Sequence, residues 1–537
     1  SRPRDWLVIA DHSDNMGFFP DMIAGATHLL SDPKGKDWHT RIQAGEGVGV
    51  ALELIGLFSQ GEFPPELIYT PDSAPYKTAW AKTVAAAEQY NDPGNFTAFI
   101  GYEWTSLVQG NNMHRVVVYR DDDDKGGQMV PFTTIEPTGS TNPRDLWKWL
   151  EEYEDKTGGD VLAIAHNGNL ANGIMFPMRA QYDGRKLDDE YVQTRAKWEP
   201  LYEATQIKGD GETHPFLSPD DEFADYETWD IGNLDVSEAK TEDMLAGEYA
   251  REALKRGLAL EERLGTNPYK FGMIGSTDSH TSLATAQEDN FFGKHSGAEP
   301  SPERMSHPFM SNENGTIMGW QQVSSGLAAV WASENTREAI FDAMARKETY
   351  ATTGSRMMVR FFGGWEFTDT DLNSRQPVFA GYRKGVPMGG DLTAAPAGKA
   401  PTFMAYAVRD PIGANLDRIQ IVKGWKDGKE LKEKVYDVAW SGDRRIGANG
   451  KLPPVGNTVN VVTASWTNTI GAPELGVVWT DPDFDPEQRA FYYVRVLEIP
   501  TPRWSLYDAV RFDIELPDGA PTSTQERAYT SPIWYTP

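Results

Sequence analysis

Through its first 360 or so residues the chain alternates short apolar runs of strand length with longer stretches whose apolar residues recur at helical spacing. Runs at 6–10 (WLVIA), 96–102 (FTAFIGY), 115–119 (RVVVY), 161–165 (VLAIA) and 271–275 (FGMIG) predict strands, and stretches at 75–90, 143–157, 238–264 and 335–347 predict helices. This is the rhythm of a parallel sheet or barrel, because parallel neighbours need a long crossover and a helix supplies it. Polar connections at 170–230 and 281–322 exceed ordinary loop length and read as lids or binding loops. From 357 onward the pattern changes to strands punctuated by Gly, Pro and Asp, at 402–409, 418–423, 458–465, 490–497 and 511–516, which predicts an antiparallel β-sandwich. The expected organisation is a catalytic α/β unit over 1–356 followed by a sandwich over 357–537.

Size and charge narrow the function classes. With 537 residues the chain exceeds one ordinary core, so burial is not limiting. No stretch reaches the roughly 18 apolar residues that a membrane span needs. The formal charge of −28, with no basic run, would repel a nucleic-acid backbone, so no nucleic-acid partner is expected. The absence of cysteine excludes disulfides and thiol chemistry, and it suits an exported bacterial protein as well as a cytosolic one. The opening SRPRDWLVIADH has no initiator Met and no leader pattern and runs directly into a strand, as if it began inside a domain. A periplasmic or secreted location is expected, otherwise a cytoplasmic one. The acidic run 121–125 reads as a turn.

Several apolar runs end in residue types that bind divalent metals. Asp11 and His12 follow WLVIA, Glu103 follows FTAFIGY, His166 follows VLAIA, and Asp278 and His280 follow FGMIG. A single His or Asp at a strand end is most often a turn cap. Repetition at matching positions is different, because parallel strands deliver their carboxyl ends to one rim. His114 precedes its run and would need a short turn after Glu103 to return to that rim. Neutral imidazoles and carboxylates suit Mn, Zn or Fe, a carboxylate such as Glu103 can bridge two ions, and metal-activated hydroxide then forms near neutral pH. Asp11 is a candidate acceptor fixing the His12 ring. Arg115 and Lys208 are candidate cations for charge developing in the reaction, and Trp104, Asn112, Asn167 and Asn169 candidate pocket walls, by their nearness to the ligands. His28, His39, His214, His295 and His307 follow no strand and are read as ordinary structural or surface residues, although His214 and His307 fall in the long connections. There is no Walker loop or G-x-S-x-G elbow; the glycine-rich 45–51 follows no strand, and the acidic 481–487 lacks calcium-loop spacing.

At ADHS (10–13), GYEWTS (101–106), MHRVVVYR (113–120), IAHNGN (164–169) and GSTDSH (275–280) the sequence resembles the PHP superfamily, the polymerase and histidinol phosphatase group. It is most similar to a bacterial PHP-like family catalogued as a domain of unknown function, and the patterns at 336–356 and 525–535 extend the resemblance over nearly the whole chain. The resemblance implies a distorted (β/α)7 barrel, a cluster of two or three divalent metals, and hydrolysis of phosphate esters. It implies that Glu103, His114 and His166 hold one ion, that His12 and His280 help hold another, and that Asp278 closes the set. The superfamily's opening His-x-His strand has no counterpart here, which would leave the first metal position short of ligands. The activity expected is a metal-dependent phosphoesterase acting on a small-molecule monoester or diester, with sulfate esters related. The alternatives are a carboxylic ester, amide or lactone hydrolase, and a binding protein with a decayed site.

Overall fold

The computed structural model describes residues 2–283, 285–295 and 298–537. Seven short strands form the first sheet system: β1 (Trp6–Val8), β2 (Thr97–Phe99), β3 (Gly101–Trp104), β4 (Arg115–Tyr119), β5 (Val161–Ala165), β6 (Leu201–Gln206) and β7 (Gly272–Gly275). β1 runs parallel to β2, with Trp6 opposite Thr97. β3 pairs with β4 and β4 with β5, both antiparallel, and β5, β6 and β7 are parallel. Only Ile100 separates β2 from β3, so the strands make one curved surface in the order β1, β2/β3, β4, β5, β6, β7. Among the described residues β1 and β7 do not pair with each other. The surface is an open half-barrel, and a cavity of about 930 Å³ lies inside its curve. The wholly parallel expectation fails at β4 for a local reason. The turn after β3 is a tight hairpin, with 107–108 paired to 111–112 and Gly110 at φ +82°, and so short a return permits only an antiparallel neighbour.

Helices α1 (Phe18–Ala24), α2 (Gly47–Ser59), α3 (Ala74–Tyr90), α4 (Pro143–Thr157), α5 (Asp189–Trp198) and α6 (Ala250–Leu264) precede or follow these strands. Their ends are written in the sequence. The Asn142 side chain accepts from the Arg144 N–H at the start of α4, Pro143 occupies the first turn, and Gly158 ends the helix in the left-handed conformation. The buried face of α4 is Leu146, Trp147, Leu150 and Tyr153, each such side chain contributing about 1.5–3 kcal/mol by leaving water. The helix expected over 238–264 is instead two, 242–245 and α6. Gly247 lies between them, its Cα so close to the Gly173 backbone that a Cβ would sit 2.1 Å from the Gly173 carbonyl oxygen.

Strand alternation divides the half-barrel into two faces. Tyr102, Trp104, Val117, Tyr119, Ala163, Ala165, Tyr202, Ala204 and Met273 pack towards the helices. Phe99, Val118, Leu162, Ile164, Leu201 and Ile274 point inward and meet Ile340, Phe341 and Met344 of α7 (Arg337–Ala345).

The second half is a sandwich. Its larger sheet carries, in order, β8 (Leu327–Val330), β9 (Thr349–Thr352), β16 (Arg527–Thr530), β15 (Ala490–Glu498), β12 (Leu416–Asp427) and β13 (Glu430–Trp440), and β17 (Ile533–Thr536) also pairs with β15. The smaller sheet contains β10 (Met358–Gly364), β11 (Thr402–Val408) and β14 (Glu474–Thr480). Because β8 and β9 come from before residue 357 and β9 pairs with β16, the two halves share a sheet. Two expected sandwich strands do not form. At 458–465 the Asn457 and Asn460 side chains accept the Val459 and Val462 N–H groups, which diverts the backbone into turns and leaves Val461 and Val462 exposed. At 511–516 a helix, Trp504–Phe512, ends at Asp513 in the left-handed conformation. No helix among the described residues is long and apolar enough to cross a membrane.

Alternation also joins the halves. Tyr492, Val494 and Val496 of β15 enter the sandwich core, while Phe491 and Tyr493 join the core shared with α6. Across this seam Arg251 of α6 donates to Glu212 (2.6 Å), Asp221 (2.9 Å) and Glu433 (3.0 Å), and Arg495 donates to Asp221 (2.6 Å). The single long connection expected over 170–230 is instead divided by α5 and β6, and Glu212 and Asp221 belong to the stretch after β6, which is thereby pinned to the sandwich. Removing one member leaves buried charges unpaired, a loss of about 3–5 kcal/mol. Arg251→Ala should therefore lower unfolding free energy by about that amount in a urea titration, and a loss below about 1 kcal/mol would contradict the assigned role of the network.

Candidate metal centre

The inward parity that places Val8, Phe99, Val118, Ile164, Leu201 and Ile274 in the inner core also aims His12, Glu103, His114, His166, Glu203 and Asp278 to the same side, one or two steps further along each strand. Separate strands therefore deliver these groups to one end of the half-barrel. Glu103 is the hub. Its Oε1 lies 2.7 Å from His114 Nδ1 and 3.1 Å from His166 Nε2, and its Oε2 lies 3.6 Å from His12 Nδ1. Glu103, His114 and His166 are buried and each offers a ligand atom within 4.8 Å of the others. His166 Nε2 faces Glu103, whereas His114 Nε2 is buried without a partner. Two buried imidazoles around a carboxylate, one of them with a nitrogen left unpartnered, are the donor set a divalent transition ion prefers, so these residues fit such an ion. His12 is half exposed, and its ring stands 6.3 Å from that of His114 and 5.5 Å from that of His280.

The electrostatics agree with this donor set. Burial pushes the Glu103 carboxyl up, but His12, His166 and the hydrogen bond from His114 outweigh it and hold the group well below the usual range. Burial lowers His114 to about 3 against the pull of Glu103, so the ring is neutral and keeps a lone pair for a ligand bond.

Asp278 centres a second group. It accepts from Gln206 Nε2 at 2.7 Å, contacts Lys208, and lies 2.9 Å from Lys294 Nζ and 3.2 Å from His280 Nε2. Burial, followed by the neighbouring Lys294, lowers Lys208, and burial lowers Lys294 to about 8. Both lysine side chains enter one cavity of about 1300 Å³ together with His12, Glu103, His114, Asp278 and His280. Of the six expected ligands, three thus form the tight group, His12 stands beside it, and Asp278 with His280 forms a lysine-paired neighbour.

The other sequence candidates divide. Lys208 lies in the site. Arg115 does not: one residue from His114, it points to the helix face, where its Nε donates to Glu199 at 3.0 Å, and it cannot meet a substrate at the metal group. Trp104, one residue from Glu103, is buried in the helix-side core for the same reason and lines neither of the two cavities that reach the group. The three asparagines are supports instead of walls: Asn112 accepts the His114 N–H at 2.8 Å, Asn167 accepts from Gln206, and Asn169 donates to the Lys208 carbonyl at 3.0 Å. Asp11 lines the cavity, but the partner fixing the His12 ring is Thr105 Oγ1, 2.7 Å from Nδ1. His214 contacts Asp230 at 3.2 Å and His307 the Pro308 carbonyl at 2.7 Å, both away from the group. Three site residues escape a sequence reading. Glu203 is buried with Oε1 unpartnered, Lys294 lies in an irregular connection, and His295 lines the cavity stacked on Phe309. The inward 201, 203, 205 register could have revealed Glu203; Lys294 and His295 carry no local signal.

If this group binds a metal, protein equilibrated with Mn²⁺ or Zn²⁺ and desalted will carry bound metal by elemental analysis, whereas Glu103→Ala and His166→Ala will each lose most of it while remaining folded by circular dichroism. Full metal retention in both variants would reject the assignment.

Comparison with curated proteins and with solved structures returned no match. A family described as a protein of unknown function (DUF3604) matches residues 1–537. The chain therefore belongs to the DUF3604 family along its whole length.

Proposed function

We propose that the chain is a metal-dependent hydrolase of phosphate or sulfate esters, and that its family is a branch of the PHP superfamily whose half-barrel is a distorted form of the (β/α)7 fold. The observation that carries the reading is the buried group of Glu103, His114 and His166, whose ligand atoms lie within 4.8 Å of one another, with His114 Nε2 left without a partner. A divalent ion held there, Mn, Zn or Fe, supplies Lewis acidity and a nucleophile at neutral pH. The order of the motifs supports the superfamily, and a second or third ion near His12, Asp278 and His280 belongs to the same proposal.

The chain's own residues account for the rest. Lys208 and Lys294 place two basic side chains where an anionic head would lie, and an anion bound there would favour their charged form and draw on it as charge develops during reaction. They favour an anionic ester over a neutral carboxylic ester, amide or lactone. Thr105 holds the His12 ring at the open edge of the group, beside Glu103 and His280, where it would serve as a ligand to a further ion. Gln206 and Lys294 hold Asp278 in place, and Asn169 fixes the Lys208 backbone.

Metal-loaded protein should hydrolyse p-nitrophenyl phosphate, bis(p-nitrophenyl) phosphate or p-nitrophenyl sulfate in preference to p-nitrophenyl acetate. Chelation should abolish this turnover, and Lys208→Met should lower kcat by about a hundredfold with metal content retained. Faster cleavage of the acetate than of every anionic ester, or undiminished turnover after chelation, would overturn the proposal.

A further inference from the structure

The cavity that Glu103 and His114 of the candidate metal group enter is far larger than a small phosphate or sulfate ester requires. At about 1300 Å³ it exceeds the ~300–1000 Å³ usual for pockets that enclose whole drug-sized molecules. Its composition is also divided. Lys208, Lys294, His12 and His280 enter it beside Glu103, whereas Phe19 of α1, Leu52, Ile55 and Phe58 of α2, Leu107 of the hairpin and Phe309 of the 281–322 connection supply apolar wall.

Phe309 is buried, but the helical part of that wall is incompletely covered. Phe19 is 45% exposed, Ile55 42% and Leu52 38%, although each belongs to a helix whose other residues enter a well-packed core. Helix α2, GVGVALELIGLFS, has a single charged residue, Glu53, and that carboxylate is turned to Lys34, Arg41 and the Trp38 ring N–H. The side of α2 that meets the cavity is therefore apolar without interruption by charge at Leu52, Ile55 and Phe58. Apolar surface held open in this way beside two lysine side chains is complementary to a molecule with an anionic head and a hydrocarbon body.

We infer that the substrate is an amphiphile, a phosphate or sulfate ester of a long-chain apolar alcohol, with its anionic head at Lys208, Lys294 and the Glu103 group and its hydrocarbon chain along Phe19, Leu52, Ile55, Phe58 and Phe309. The assignment rests on the hydrolase reading for its reaction and on the cavity alone for its binding. In the reaction water adds its oxygen to phosphorus or sulfur, the bond from that atom to the alkoxy oxygen breaks, and the alcohol departs with a proton, leaving inorganic phosphate or sulfate. No oxidant or reductant is consumed. Each methylene moved from water into the apolar half should raise affinity about three- to fourfold.

Titration calorimetry with non-hydrolysable heads tests binding apart from turnover. Methyl-, butyl- and octylphosphonate, and butane- and octanesulfonate as the sulfate-like arm, are titrated into the full chain below their micelle-forming concentrations. The inference expects affinity to rise at least about a hundredfold from the methyl to the octyl phosphonate, or correspondingly through the sulfonates, with the arm that binds more tightly identifying the head. Ile55→Asn and Leu52→Asn, at partly exposed positions, should remove most of the octyl gain while metal content, melting temperature and methylphosphonate affinity stay within twofold. A flat chain-length series, or an octyl gain untouched in both variants, would overturn the inference even if small esters are hydrolysed. Tight octyl binding without hydrolysis of any octyl ester would uphold the amphiphile site and count against the hydrolase reading instead.

Discussion

A carboxylate taken out of water must be compensated, and at Glu103 the compensation comes from imidazoles. This requirement organises the rest of the half-barrel. Glu103 sits on β3, His114 enters β4, His166 leaves β5, and His12 leaves β1, so the group forms only if four strands hold their mutual register. A one-residue slip in any of them would turn its polar residue to the helix face and bring a large side chain, Trp104 or Arg115, into the group. The apolar alternation behind the site is therefore the scaffold that fixes its chemistry, and the hairpin after β3 is the device that reverses the chain so that His114 can join.

The sandwich contributes to the same geometry from a distance. The connection that follows β6 supports the β5 turn, through the bond from Asn169 to the Lys208 carbonyl, and is tied to the opposite half by Arg251 and Arg495. The continuous sheet from β8 and β9 to β16 and the shared aromatic core with Phe491 and Tyr493 make the attachment rigid packing, not a tether. Lys208, carried on that connection, is thus positioned by contacts made in both halves.

What the sequence makes legible follows from which interactions are local. Apolar runs and their terminal residues depend on neighbours in the chain, so the strands at 6, 115, 161 and 271 and the convergence of Glu103, His114 and His166 can be read from spacing and motif order. Face assignment follows from period two, and Arg115 and Trp104 fail as site residues because each is one step from a ligand and hence on the opposite side. β6 is masked by its own chemistry: Leu201–Gln206 carries Glu, Thr and Gln in a fully buried strand, so no apolar run marks it and Glu203 goes unseen. Lys294 and His295 reach the cavity from an irregular connection whose path is set by tertiary contacts, and nothing local encodes their destination. The strand expected at 458–465 fails in the converse way, because a good apolar pattern meets no surface to pack on and asparagine side chains capture its backbone.

The central claim is that Glu103, His114 and His166 surround a common cation. Anomalous diffraction from crystals grown with Zn²⁺ or Mn²⁺, recorded on both sides of the metal absorption edge, tests it most directly. The account predicts a peak at coordination distance, about 2.0–2.3 Å, from a Glu103 oxygen and from a nitrogen of each histidine. Strong peaks elsewhere on the molecule, with none between these three side chains, would contradict it.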